Sequence, residues 1–107
     1  MSRAMSETVT YVRLEDLTYG EPVDAELVAE LLELELVPYR RAPEGPYEIA
    51  DESCEDMRTM LRLSTVLGVN PAGVACIMHM RGRMREMRRE LVRLRQAERA
   101  ALARMRG

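Results

Sequence analysis

Residues 67–84 read LGVNPAGVACIMHMRGRM, and this stretch divides the chain. Gly68 is a natural helix stop, because glycine enters the left-handed conformation that ends a helix without steric cost. Asn70 then caps a new helix, and Pro71 sits in its first turn, where a missing N–H costs nothing. Beyond Pro71 only Gly82 could break the helix before the C-terminus. The spacing predicts one helix over 71–105, roughly 50 Å long at ~1.5 Å per residue.

Along that helix Ile77, Met80, Met84, Met87, Leu91, Leu94, Glu98, Ala101 and Met105 follow one another at alternating steps of three and four. This is the heptad rhythm of a coiled coil, held over about four heptads and weakened at its end by Glu98 and Ala101. A single helix cannot bury such a seam, so a partner helix is expected, with Ile77, Met80, Met84, Met87, Leu91 and Leu94 as its dimerisation residues. The alternative is an ordinary amphipathic helix packed on its own domain. With Ile77 at position a, the e positions are Arg81, Arg88 and Arg95. Neither strand orientation neutralises them well, so their carboxylate partners are expected elsewhere, in the acidic first half.

Upstream the elements are short. Thr8–Arg13 is β-branched and aromatic, consistent with a strand. Leu14–Leu17 could begin a short helix, and Gly20–Pro22 is a turn. Asp24 is a good N-cap for a helix to about Leu36, with Pro38 ending it. Leu27, Val28, Leu31, Leu32 and Leu34 gather on one side of it, and Glu26, Glu30 and Glu33 form a stripe on the other. Residues 39–50, YRRAPEGPYEIA, read as a small hairpin or wing with its turn near Glu44–Gly45. Asp51 or Ser53 caps the next helix, about 52–66, whose apolar positions are Met57, Met60, Leu61, Leu63 and Val66. Residues 1–7 look like a loose tail.

Charge is sorted along the 107 residues. Residues 1–56 hold four arginines against fifteen carboxylates, a formal −11, and residues 57–107 hold twelve arginines against three glutamates, a formal +9. The whole-chain value of −2 hides this split. An acidic half attracts cationic partners and repels nucleic acid, while a basic half does the reverse. There is no Phe or Trp, and the nine Met, which adapt to partners but specify packing weakly, must share the core with Leu and Val.

No signal pattern and no apolar stretch of membrane-spanning length is present, so a soluble cytoplasmic protein is expected. Cys54 and Cys76 are read as buried or idle thiols. Nothing resembles an active site: no nucleophile–base pair, no phosphate loop, no carboxylate dyad in a motif. No enzyme activity and no cofactor is expected. Cys76 and His79, three apart, could supply two metal ligands where a structural zinc needs four, and no metal site is assigned. Glu26, Glu30 and Glu33 carry more. Like charges three and four apart cost a helix ~0.2–0.5 kcal/mol per pair, and no basic residue compensates between Leu14 and Tyr39. The stripe is either a solvated face or a docking surface for a basic helix.

The order strand, short helix, turn, helix, wing, helix, long helix resembles the MerR superfamily of winged helix-turn-helix proteins. Leu67–Met84 is similar to the LGVN-x-AGV junction through which many of these proteins enter their dimerisation helix. The YEIADESCEDMRTMLRLSTV segment before it resembles the wing-plus-helix of the family. The likeness covers residues 8–95 and is better in the second half. It implies a mainly α fold, a MerR-like winged helix-turn-helix head over 8–67, after a flexible tail over 1–7, followed by a long coiled-coil dimerisation helix over 68–107.

The departures lie in the DNA-reading part. MerR regulators have an arginine-rich second helix; here it is DAELVAELLELEL, with Val28 near the expected Arg. Glu48 stands on the wing where the family has Arg, leaving Arg40 and Arg41. DNA affinity depends on neutralising phosphates, and glutamates would be repelled. The chaperone-modulator (CbpM-like) branch fits this departure. That resemblance implies a protein that binds and inhibits a DnaJ-like, curved-DNA-binding co-chaperone, its acidic head docked on the basic helix of a J-domain. Glu26, Glu30 and Glu33 are the candidate contacts, with Asp24 and Glu35 at the edges. The other reading is a dimeric MerR-type transcriptional regulator on palindromic DNA, with Arg13, Arg40 and Arg41 as DNA contacts.

Overall fold

The computed structural model describes residues 9–43 and 45–107. The expected tail, Thr8 of the expected strand and Glu44 of the expected turn lie outside the described residues. The fold is mainly helical with a small antiparallel sheet, as the sequence predicts. Strand β1 spans Tyr11–Arg13 and helix α1 Leu14–Leu17; helix α2 spans Ala25–Leu32. Strands β2 (Tyr39–Arg41) and β3 (Tyr47–Ala50) form the wing. A 3-10 turn at Asp51–Ser53 leads into α3 (Cys54–Thr65), and α4 runs from Pro71 to Arg106.

The strand order is β1-β3-β2, so the wing hairpin is extended by the strand that opens the domain. Val12 stands opposite Ile49, and Arg40 opposite Glu48. The pleat therefore sends Ile49 into the core and Glu48 to the outer face. Leu17, Val28, Leu31, Leu32, Ile49, Met57 and Met60 are all almost fully buried. Burying side chains of this size contributes roughly 1.5–3 kcal/mol each, enough to hold short elements that would not persist alone.

Helix α2 ends at Leu32, four residues before the expected Leu36, and Pro38 does not end it. The N–H of Glu33 bonds Ala29 O, but those of Leu34 and Glu35 reach back only three residues, to Leu31 and Leu32. Glu35 then turns left-handed, with φ 56°. The cause is electrostatic in part. Glu30, Glu33 and Glu35 crowd the end where carbonyls already concentrate negative charge, and no basic residue offsets it. Helix α3 begins at Cys54 rather than 52, because the Asp51 N–H bonds Thr10 O at 2.8 Å and holds that residue against the sheet. Ser53 makes no side-chain cap bond, and Val66 is exposed rather than apolar-facing.

The LGVNPAGV junction is built as its residues require. Gly68 has φ 69°, and around it the N–H groups of Leu67 and Val69 bond Arg62 O and Leu63 O. The Asn70 side chain accepts the Gly73 N–H at 2.8 Å, capping α4. A Cβ at position 73 would meet Val69 Cγ1 at 2.7 Å, so any larger residue here would force the Val69 side chain to shift. The chain divides into two compact units inside α4, one ending at Ala75 and the other spanning Cys76–Gly107. Val74, fully buried, belongs to the first.

Candidate functional site

The acidic face begins at the N-terminus of α2. The Asp24 carboxylate accepts the Glu26 N–H at 2.9 Å, so it is occupied as a helix cap. Glu26 and Glu30 follow on the helix, and Glu33 is its C-cap; all three are exposed. Glu35 is exposed on the left-handed turn beyond. None of Glu26, Glu30, Glu33 and Glu35 makes an ion pair among the described residues. The opposite face of α2 is the buried one, through Val28, Leu31 and Leu32, so the core fixes which way the carboxylates point.

The three arginines that could contact DNA are engaged within the head. Arg13 pairs with Glu15 at 2.5 Å. Arg40 Nε donates to Glu48 Oε1 at 2.6 Å, and the same guanidinium lies 4.2 Å from the centre of the Tyr11 ring. Arg41 lies over Tyr47 at 4.9 Å. Tyr39 and Tyr47 pack edge to face beside them. Glu48, at the wing position where the family pattern has Arg, thus neutralises Arg40, one of the two arginines on the wing.

A groove of about 560 Å³ lies between α1, α2 and α3. Tyr19, Val23, Leu27 and Leu61 line it, with Arg58 and Arg62 on one wall and Glu21 and Asp24 on the rim. Arg58 Nε donates to Leu17 O at 3.3 Å, and its guanidinium lies 5.7 Å from the Tyr19 ring. Tyr19 is left-handed, φ 56°, and highly exposed. Sequence reasoning missed this feature. Only the positive φ at Tyr19, beside Gly20, turns the ring outward over Arg58, and no pattern signals it.

Cys54 is buried, its Sγ 3.5 Å from Ala50 O; burial, and Asp51 nearby, push its thiol up, so it stays protonated. Cys76 and His79 are both exposed, so of the two readings for Cys76, buried or idle, burial does not hold. Among the described residues no group of three or more His, Cys, Asp or Glu is placed to hold a metal ion. No helix among them is long and apolar enough to cross a membrane.

On α4, Met80, Met84, Met87, Leu91 and Leu94 are exposed in the single chain, and Ile77 is half-buried. The seam is therefore a continuous apolar row along an otherwise charged helix. With winged head and long helix both in place, the sequence itself matches the family described as "MerR HTH family regulatory protein" over residues 12–96. The chain belongs to this family. Its membership assigns a regulatory role, and the match runs from β1 well into α4. Neither curated proteins nor solved structures gave a match.

Proposed function

We propose that this MerR-family protein is a non-enzymatic, cytoplasmic chaperone modulator that binds a DnaJ-like co-chaperone and inhibits it. The acidic face of α2, centred on Glu26, Glu30 and Glu33 with Asp24 and Glu35 at its edges, docks on the basic helix of the J-domain. It thereby covers the surface that the J-domain offers to DnaK. Two copies of the chain associate through the α4 seam.

One observation carries this choice over DNA: the ion pair of Arg40 with Glu48 across the wing. Phosphate binding needs cations that can be given to the ligand, and this one is held by a carboxylate on the neighbouring strand. The outer face of α2, in contrast, carries Glu26, Glu30 and Glu33, none of which makes an ion pair among the described residues. Complementary charge of this kind supplies association rate and selectivity more than affinity.

The test is titration calorimetry of the full chain with an isolated J-domain. Wild type binds, with an affinity that falls as salt rises. The triple variant Glu26→Gln, Glu30→Gln, Glu33→Gln loses at least tenfold in affinity and most of that salt dependence. Undiminished binding by the variant would show that α2 is the wrong surface. If wild type ignores J-domains but binds a palindromic duplex, and Arg40→Gln abolishes that, the protein is a transcriptional regulator instead.

A further inference from the structure

The arginines of α4 are also sorted, around the helix rather than along it. From Pro71 to Arg106 there are ten arginines and three glutamates. At ~100° per residue, Arg81, Arg85, Arg88, Arg89, Arg95 and Arg99 fall within one arc of about 120°. Glu86, Glu90 and Glu98 all fall outside it. The middle of the arc lies about 120° from the middle of the seam, so a partner helix on the seam leaves Arg85, Arg89 and Arg99 open and is flanked by Arg81, Arg88 and Arg95.

Five of these six cations have no carboxylate partner among the described residues. The ion pair of Arg93 with Glu90 lies off the arc. Arg81, Arg88, Arg89, Arg95 and Arg99 make no ion pair among the described residues, and all but Arg81 are exposed. Arg81–Arg85 and Arg95–Arg99 are like charges four apart, each pair costing the helix a few tenths of a kcal/mol. A stripe that weakens its own helix invites an anion.

We propose that this face of α4 binds the phosphate backbone of duplex DNA, without reading sequence. Arginine suits phosphate, because its planar fork donates two parallel hydrogen bonds. The stripe from Arg81 to Arg99 is about 27 Å long at ~1.5 Å per residue, so it needs an extended polyanion. The acidic row of α2 on a second copy, Glu26 to Glu33, covers only about 10 Å of it. Single strands are bound on aromatic side chains, and residues 71–107 contain no Phe, Tyr or Trp. B-form DNA, unlike the A-form of RNA, has a major groove wide enough for a helix, ~12 Å. Binding here is separate from the wing and independent of the J-domain surface.

Fluorescence anisotropy of a labelled 24-base-pair duplex of mixed sequence tests it. With about five phosphates neutralised, affinity should fall several hundred-fold between 50 and 200 mM NaCl, since each contact contributes a log–log slope of roughly −0.9. The variant Arg88→Gln, Arg89→Gln, Arg95→Gln, Arg99→Gln keeps helix propensity and should keep its far-ultraviolet dichroism. It should bind the duplex at least tenfold more weakly at 50 mM, with its salt dependence reduced to a few-fold, and bind the J-domain as before. The variant Arg13→Gln, Arg40→Gln, Arg41→Gln should keep its duplex affinity within twofold. Four results overturn the proposal: no duplex binding at 50 mM; undiminished binding by the helix variant; loss of binding in the wing variant; or equal affinity for duplex RNA or poly-glutamate of the same charge.

Discussion

Helices α2 and α4 each carry a row of one charge, but they are supported differently. α2 has eight residues, three of them buried in the head core. α4 has 36 residues and one, Val74, that is buried. α2 is held by what lies beneath it and presents carboxylates outward. α4, beyond its first turns, shows an apolar seam on one side and arginines on another. The lesson is that charge has different weight in the two places. On α2 the core fixes the carboxylates in position, so they form a defined surface. On α4 the apolar seam lies exposed along the helix in the single chain.

The sharpest way to break that contrast is to damage each support. Leu31 is fully buried, and Leu31→Ala should cost about 2–5 kcal/mol in urea unfolding, melting the head. An equal deletion on the seam, Leu91→Ala, should leave head stability unchanged and act only through association. Sedimentation should show a dimer that dissociates at higher concentration than wild type, and the dichroism melt of α4 should become more concentration-dependent. If Leu91→Ala instead lowers head stability at every concentration, the seam is an intramolecular face.

A smaller effect is expected from the cap of α2. Asp24→Ala should cost about 0.5–2 kcal/mol, read as a fall in the head's melting temperature, because the Glu26 N–H loses its acceptor. Smaller still, the triple glutamine change at Glu26, Glu30 and Glu33 should stabilise the head by a few tenths of a kcal/mol while weakening J-domain binding. Stability and binding moving in opposite directions would distinguish a functional row from a merely solvated one. Glu35→Gly should also stabilise slightly, up to ~1 kcal/mol, by relieving the left-handed backbone.

Much of this contrast was legible in the sequence because it rests on local chemistry. The Gly68 stop, the Asn70 cap, Pro71 and the long helix that follows depend on residues within a few positions of one another, and all appear as read. The wing hairpin likewise followed from Pro43, Gly45 and Pro46 between tyrosines. The end of α2 did not. A periodic leucine pattern runs on to Leu36, while the helix yields at Leu32 to charge at its C-terminus and to a left-handed Glu35. The pairing of Arg40 with Glu48 was hidden as well, because it needs the strand register that places the two opposite each other. The groove beneath Tyr19 joins residues more than forty positions apart, as the Arg58–Leu17 bond shows. Such contacts are set by packing of the whole head, which no window of sequence contains.

The central claim, that the carboxylate face of α2 meets a basic protein helix, is tested most directly by chemical-shift mapping. Isotope-labelled protein is titrated with an unlabelled J-domain and the backbone amides are followed. The expected result is that shifts concentrate on Glu26, Glu30 and Glu33 and their neighbours, with little change on the wing or along the arginine face of α4. Shifts concentrated on Arg40, Arg41 and Glu48, or on Arg88 to Arg99, with α2 unmoved, would contradict it.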